Sequence, residues 1–306
     1  MIAIAATIAV ALAAGIGAER HFGERAQDAS RAVLSALLFT LVPFIVFFNI
    51  ARLHVTVDVG GGLALAYVTL FAVGVAAWVI GARVMRLARA STGALIASAM
   101  QVNTGYLGLP LVAVLLGRHQ IGTAAAYDTL VSAPILFGPV FAIGAAFGTA
   151  AGEGPRERAR AFITRNPPLL AMIAALLAPD ALAPDALVHV SRLLVFALAP
   201  LGFFAVGVNL AAEADEGAFA LPPPLTRPVA AVLGLRLALA PALLLALATP
   251  LIDLPGPYLL QAAMPTGINS LVVAHAYGLD LKIVAGAIAW TTAIVVAVGL
   301  VASLVA

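Results

Sequence analysis

The chain has 306 residues, of which 63% are hydrophobic and only 10% charged, with a net charge of +2 and no cysteine. A soluble domain is nearer half apolar and a quarter charged, so this composition belongs to a polytopic protein of the lipid bilayer. The missing cysteines exclude disulfides, thiolate metal sites and a cysteine nucleophile, and basic residues scattered through short connections give no nucleic-acid surface.

The first apolar run reaches Ala18 with no basic residue before Arg20, which reads as a membrane helix rather than a secretory signal. Apolar runs of about 20 residues mark spans. They fall at 2–18, 32–51, 61–82, 93–116, 121–148, 166–179, 190–211, 227–250, 256–277 and 281–305. The sixth is short, opening on Asn166-Pro-Pro and ending at Ala178-Pro-Asp. With the N-terminus outside, the inner connections carry Arg20, Arg25, Arg31, Arg83, Arg86, Arg89, Arg156, Arg158, Arg160, Arg165, Arg227 and Lys282. The outer ones carry Arg52, Arg118 and Arg192. This bias places both termini on the extracytoplasmic side of a bacterial-type inner (plasma) membrane.

Two spans are broken in the middle. Span four carries Gln101-Val-Asn-Thr-Gly-Tyr-Leu-Gly-Leu-Pro110, and span nine carries Gln261-Ala-Ala-Met-Pro-Thr-Gly-Ile-Asn-Ser270. Every backbone polar group in lipid must be satisfied internally, so an unwound stretch at mid-depth persists only against protein or a water-filled cavity. Leu37–Pro43 of span two resembles Leu194–Pro200 of span seven, and Leu95–Met100 of span four resembles Leu259–Met264 of span nine. The order is the same in both halves, and each half has five spans. The pattern predicts an all-α fold of two inverted five-helix repeats, 1–150 and 166–306, joined by a cytoplasmic connection at 151–165 and crossing at broken helices four and nine.

Asn103-Thr-Gly-Tyr-Leu-Gly-Leu-Pro-Leu111 resembles the fourth-helix motif of the auxin efflux carrier family, which includes the plant PIN proteins and bacterial malonate or malate permeases. Arg165-Asn-Pro-Pro168 is similar to that family's opening of helix six, and Met264 to Asp280 to its ninth helix and the following turn. The resemblance implies a scaffold domain, a crossover transport domain, a homodimer and elevator-type movement of an organic anion. The long hydrophilic loop of the plant proteins is here only about Ala150 to Arg165, so its regulation does not carry over.

Unwinding near Asn103–Pro110 and Pro265–Asn269 exposes half-helix N-termini whose partial positive charge suits a carboxylate. Asn103, Thr104, Gly105, Pro110, Pro265, Thr266, Gly267, Asn269 and Ser270 are therefore the candidate substrate residues; the plainer reading is that glycine and proline only kink packed helices. Asp128, within span five, is a candidate coupling site for a proton or Na⁺, or else orders the crossover, lies in a wet outer vestibule or caps a helix start. Arg236 in span eight attracts the anion, pairs with Asp128 or snorkels to the cytoplasmic surface. Gln101 and Gln261 flank the breaks as candidate Na⁺ ligands, with a helix–helix hydrogen bond the simpler role for Gln261. His275 is a candidate proton carrier or an interfacial residue. Phe39, Phe44, Phe47, Phe48, Phe203 and Phe204 gather on spans two and seven as packing, a dimer face or a cleft wall. Gly15, Gly17, Gly202 and Gly207 permit close helix contact. No metal or cofactor motif is present. No metalloprotease helix or paired-aspartate motif points to an intramembrane enzyme. A cation/proton antiporter and a bile-acid-type sodium symporter of related architecture remain alternatives.

Overall fold

A computed structural model describes residues 2–51, 60–212 and 223–305; Arg52 of the outer connections lies outside them. Among the described residues every regular element is a helix. In chain order they are α1 (Ile2–Phe22), α2 (Glu24–Ile50), α3 (Gly60–Val84), α4 (Arg89–Met100), α5 (Thr104–Leu115), α6 (Arg118–Phe147), α7 (Pro155–Thr164), α8 (Pro167–Leu177), α9 (Asp185–Ala212), α10 (Arg227–Ala248), α11 (Gly256–Ala262), α12 (Asn269–Tyr277) and α13 (Leu281–Val305). Five of these, α2, α3, α6, α10 and α13, contain stretches long and apolar enough to cross a membrane. Each run drawn from the sequence coincides with a helix or, at the two breaks, with a pair of half-helices. That division is why neither broken run forms one long helix.

Four of the prolines inside the helices share one local solution. Pro43, Pro110, Pro134 and Pro241 each follow a π-helical turn, at Leu37–Leu41, Thr104–Gly108, Asp128–Ser132 and Gly234–Leu239. A proline ring clashes with the carbonyl four residues back and donates no hydrogen bond. A widened turn just before it relieves both problems without ending the helix. This corrects the expectation that the chain is unwound as far as Pro110. Only 101–103 leave the helix, and Gly105 and Pro110 lie in α5.

Two packing groups follow from the contacts. In the first, α9 packs on α1 and α2, and α8 packs on α2. Gly15 and Gly207 make the α1–α9 contact possible: a Cβ on Gly15 would lie 2.1 Å from the Phe204 carbonyl oxygen, and one on Gly207 2.3 Å from that of Leu12. Gly17, in contrast, faces open space. The second group contains α3 to α6 and α10 to α13, with α4 packed on α3, α6, α10 and α13. The groups meet where α9 touches α5 and α13 and where α12 touches α2.

The resembling motifs also have structural reasons. Asn166 caps α8 by accepting from the Leu169 N–H at 3.2 Å, and its amide donates to the Phe137 carbonyl at 2.6 Å. Gly278 ends α12 in a left-handed conformation (φ 71°), which only glycine adopts without cost. Asp280 then caps α13 by accepting from the Lys282 and Ile283 N–H groups, and also accepts from Ser91 at 2.6 Å.

Candidate functional site at the helix crossing

The two breaks satisfy each other. Val102 and Thr266 form an antiparallel bridge, in which Asn103 N–H donates to the Pro265 carbonyl at 2.9 Å and Gly267 N–H to the Gln101 carbonyl at 3.0 Å. The unwound backbone is thus paired with protein rather than exposed, as its depth in an apolar core demands. Gly267 is needed here: a Cβ would sit 2.9 Å from the Gln101 side chain and 3.0 Å from the Val102 carbonyl oxygen. The bridge also preserves the register of the sequence repeat, because the alignment that sets Leu95 against Leu259 sets Val102 against Thr266.

Four half-helix ends converge on this crossing. The C-terminal ends of α4 and α11 are held by Arg236, whose guanidinium donates to the Ala99 carbonyl at 2.9 Å and the Ala262 carbonyl at 2.6 Å. Arg236 is fully buried, at 0% exposure. Snorkelling is therefore overturned, and so is pairing with Asp128: among the described residues no carboxylate pairs with Arg236. Each helix C-terminus carries about −0.5 charge, so two of them offset roughly one guanidinium. The N-termini of α5 and α12, partly positive as helix starts are, lie at the same crossing, and the Asp128 carboxylate sits beside the first of them.

The side chains at the positive ends divide by what they already do. Asn103, at the N-terminus of α5, is buried, and neither its amide nitrogen nor its oxygen has a partner. The Gln101 amide oxygen is also buried and unpartnered. Buried polar atoms are nearly always satisfied, so such a group at one place calls for a ligand or water. Thr104 donates its hydroxyl proton to Asp128, which lies against Gly105. Tyr106 and Asn269 lie near each other across the two halves. Thr266 and Ser270 use their hydroxyls internally, donating to the Ser98 carbonyl at 3.0 Å and the Gly267 carbonyl at 2.6 Å. They brace the break. Gln261 donates to the Ala124 carbonyl at 3.2 Å, the helix–helix role foreseen for it, and its oxygen fits the notch at Gly108.

His275 is not at the crossing. It lines a separate cavity of about 160 Å³ with Ser30, Arg31 and Asn209. Two bracing residues lie outside the candidate site residues drawn from the sequence. Thr291 accepts from the Thr266 N–H at 3.1 Å, and Arg165 donates to the Ala276 carbonyl at 2.8 Å. A polar residue in the middle of an apolar span was the only available signal for Thr291.

Residues 163–302 match a family described as membrane transport protein. The chain is also similar to an uncharacterized transporter of Methanocaldococcus jannaschii, 24% identical over 287 residues, which cover 89% of this chain and 88% of that protein. The family match takes in the motifs at Asn166 and Met264, and the two findings together bear out the resemblance.

Proposed function

We propose that this chain, similar over residues 163–302 to the membrane transport protein family, is a secondary transporter or facilitator that moves an organic anion carrying a carboxylate across the plasma membrane. The observation that carries the reading is the polarity of the crossing: Arg236 neutralises the two half-helix C-termini, while two N-termini and the unpartnered Asn103 amide remain. A carboxylate placed there accepts from the Asn103 amide and faces the partly positive starts of α5 and α12, the arrangement by which discontinuous helices hold anions at mid-membrane.

The two packing groups give the motion its parts. The α1, α2, α8 and α9 group serves as scaffold, and the group containing the crossing slides along it as an elevator. The Val102–Thr266 bridge, falling between repeat-equivalent residues, supports two inverted five-helix repeats, and the arginine bias supports both termini outside. The scaffold supplies the homodimer face. Asp128 carries a coupling proton, a reading supported by the hydrogen bond it accepts from Thr104, the neighbour of Asn103.

The test is counterflow in proteoliposomes loaded with radiolabelled mono- and dicarboxylates. Saturable exchange of at least one carboxylate, lost in Asn103→Ala, is expected. Exchange of cations or neutral solutes with no carboxylate transported would overturn the reading.

A further inference from the structure

In broken-helix transporters the coupling cation binds at unwound carbonyls and half-helix C-terminal ends. In this chain those ends are already occupied. The guanidinium of Arg236 reaches Ala99 in the last turn of α4 and Ala262 at the end of α11, one carbonyl from each half of the molecule. It is fully buried, its Nε has no partner, and among the described residues no carboxylate pairs with it. A buried charge without a counter-ion is among the most expensive features a protein carries. Among the described residues its compensation is the pair of helix ends, which together match about one unit of charge. Pure packing would be met more cheaply by leucine or methionine, as at the neighbouring apolar positions of α10. We infer that the Arg236 guanidinium is a tethered cation, filling the position a free coupling ion would take, so that anion transport by this chain needs no Na⁺.

Two consequences distinguish this from a merely structural arginine. Removing the side chain leaves a cation-shaped site lined by the carbonyls of Ala99 and Ala262, which a soluble cation of the same shape refills. Removing the charge while keeping the bulk is harmful, whereas keeping the charge is tolerated.

The inference rests on the transporter reading for its transport arm only. In the first arm, purified full-length Arg236→Ala is melted in detergent with low-millimolar guanidinium chloride, NaCl or choline chloride. Guanidinium is expected to raise its melting temperature by several degrees and to leave the wild type unchanged. An Arg236→Ala protein indifferent to both guanidinium and Na⁺ overturns the proposal. In the second arm, carboxylate exchange is measured in Na⁺ and in choline. Equal wild-type rates are expected, and a tenfold or greater requirement for Na⁺ overturns the proposal. Arg236→Lys and Arg236→Met keep the test open if the alanine variant does not fold. The lysine variant is expected to stay within about threefold of wild type and the methionine variant to lose tenfold or more, and equal loss in both overturns the idea. If the wild type exchanges no carboxylate, the proposed function fails while the melting arm still reads the cation site.

Discussion

Asp128 of α6 and Arg236 of α10 have different hydrogen-bonding partners. Thr104 donates to the carboxylate, and the carbonyls of Ala99 and Ala262 accept from the guanidinium. The two charges thus serve different ends of the broken helices. Substituting them should have nearly independent effects. In a double-mutant cycle of Asp128→Asn with Arg236→Gln, read from melting temperatures, the coupling should stay below about 0.5 kcal/mol, the range found for sites without shared partners. A larger favourable coupling would mean that they sense each other directly. Asp128→Asn alone keeps an acceptor for Thr104, so the protein should fold. Its transport rate should lose the pH dependence of the wild type, and a retained pH profile would remove Asp128 as the proton site.

Asn103 offers a test in which function and stability move in opposite directions. Both polar atoms of its side chain are buried and unpartnered, a cost of about 1–3 kcal/mol per unsatisfied group. Asn103→Ala removes that cost. Its melting temperature should hold or rise, while carboxylate exchange falls tenfold or more, equivalent to about 1.4 kcal/mol of lost binding. Asn269→Ala should also impair exchange. Normal exchange in both variants would displace the anion site from the crossing.

How much of this was legible beforehand follows from which interactions are local. Helix positions came from apolar length, and the two breaks from glycine, proline and asparagine in places a spanning helix tolerates poorly. Both are properties of contiguous sequence. The extent of the first break was overdrawn, because the π turn that lets α5 pass through Pro110 leaves no mark in composition. The role of Arg236 was not readable at all. It depends on bringing α4, α10 and α11 together, and sequence spacing says nothing about which carbonyls will meet a guanidinium. For the same reason Thr266 and Ser270 looked like ligand residues, although their hydroxyls are spent on the Ser98 and Gly267 carbonyls.

The α1–α9 contact predicts a contrast between two glycines two residues apart. At Gly15 an added Cβ would collide with the Phe204 backbone, so Gly15→Ala must push the helices apart, at about 1–3 kcal/mol for overpacking. At Gly17 nothing lies within 4 Å, and alanine there should hold or gain stability, by about 0.5–1 kcal/mol from helix entropy alone. Melting of the two purified variants decides it. Similar behaviour would mean that α1 does not pack on α9 as described.

The orientation rests on the arginine bias and has a direct check. A periplasm-active reporter joined after Ala306 should be active and a cytoplasm-active one silent. The opposite pattern would invert the crossing relative to the cell and exchange the inward and outward faces of the proposed elevator.

The contact most exposed to such a movement is that between Gly202 of α9 and Ile268 in the second break. A Cβ at Gly202 would lie 2.2 Å from the Ile268 side chain, so isoleucine occupies a notch that only glycine provides. Because α9 belongs to one packing group and Ile268 to the other, the notch fixes their relative height in this conformation. Gly202→Ala should destabilise this arrangement by the overpacking cost of about 1–3 kcal/mol and lower the melting temperature of the substrate-free protein. Ile268→Ala should relieve the collision, so the double variant should melt higher than additivity predicts, with a coupling of about 0.5–3 kcal/mol. Carboxylate exchange should recover in parallel, since the double variant again allows the groups to sit at this height. Were Gly202→Ala to leave both stability and exchange unchanged, the two groups would not be in register at this point, and sliding along α9 would lose its structural anchor.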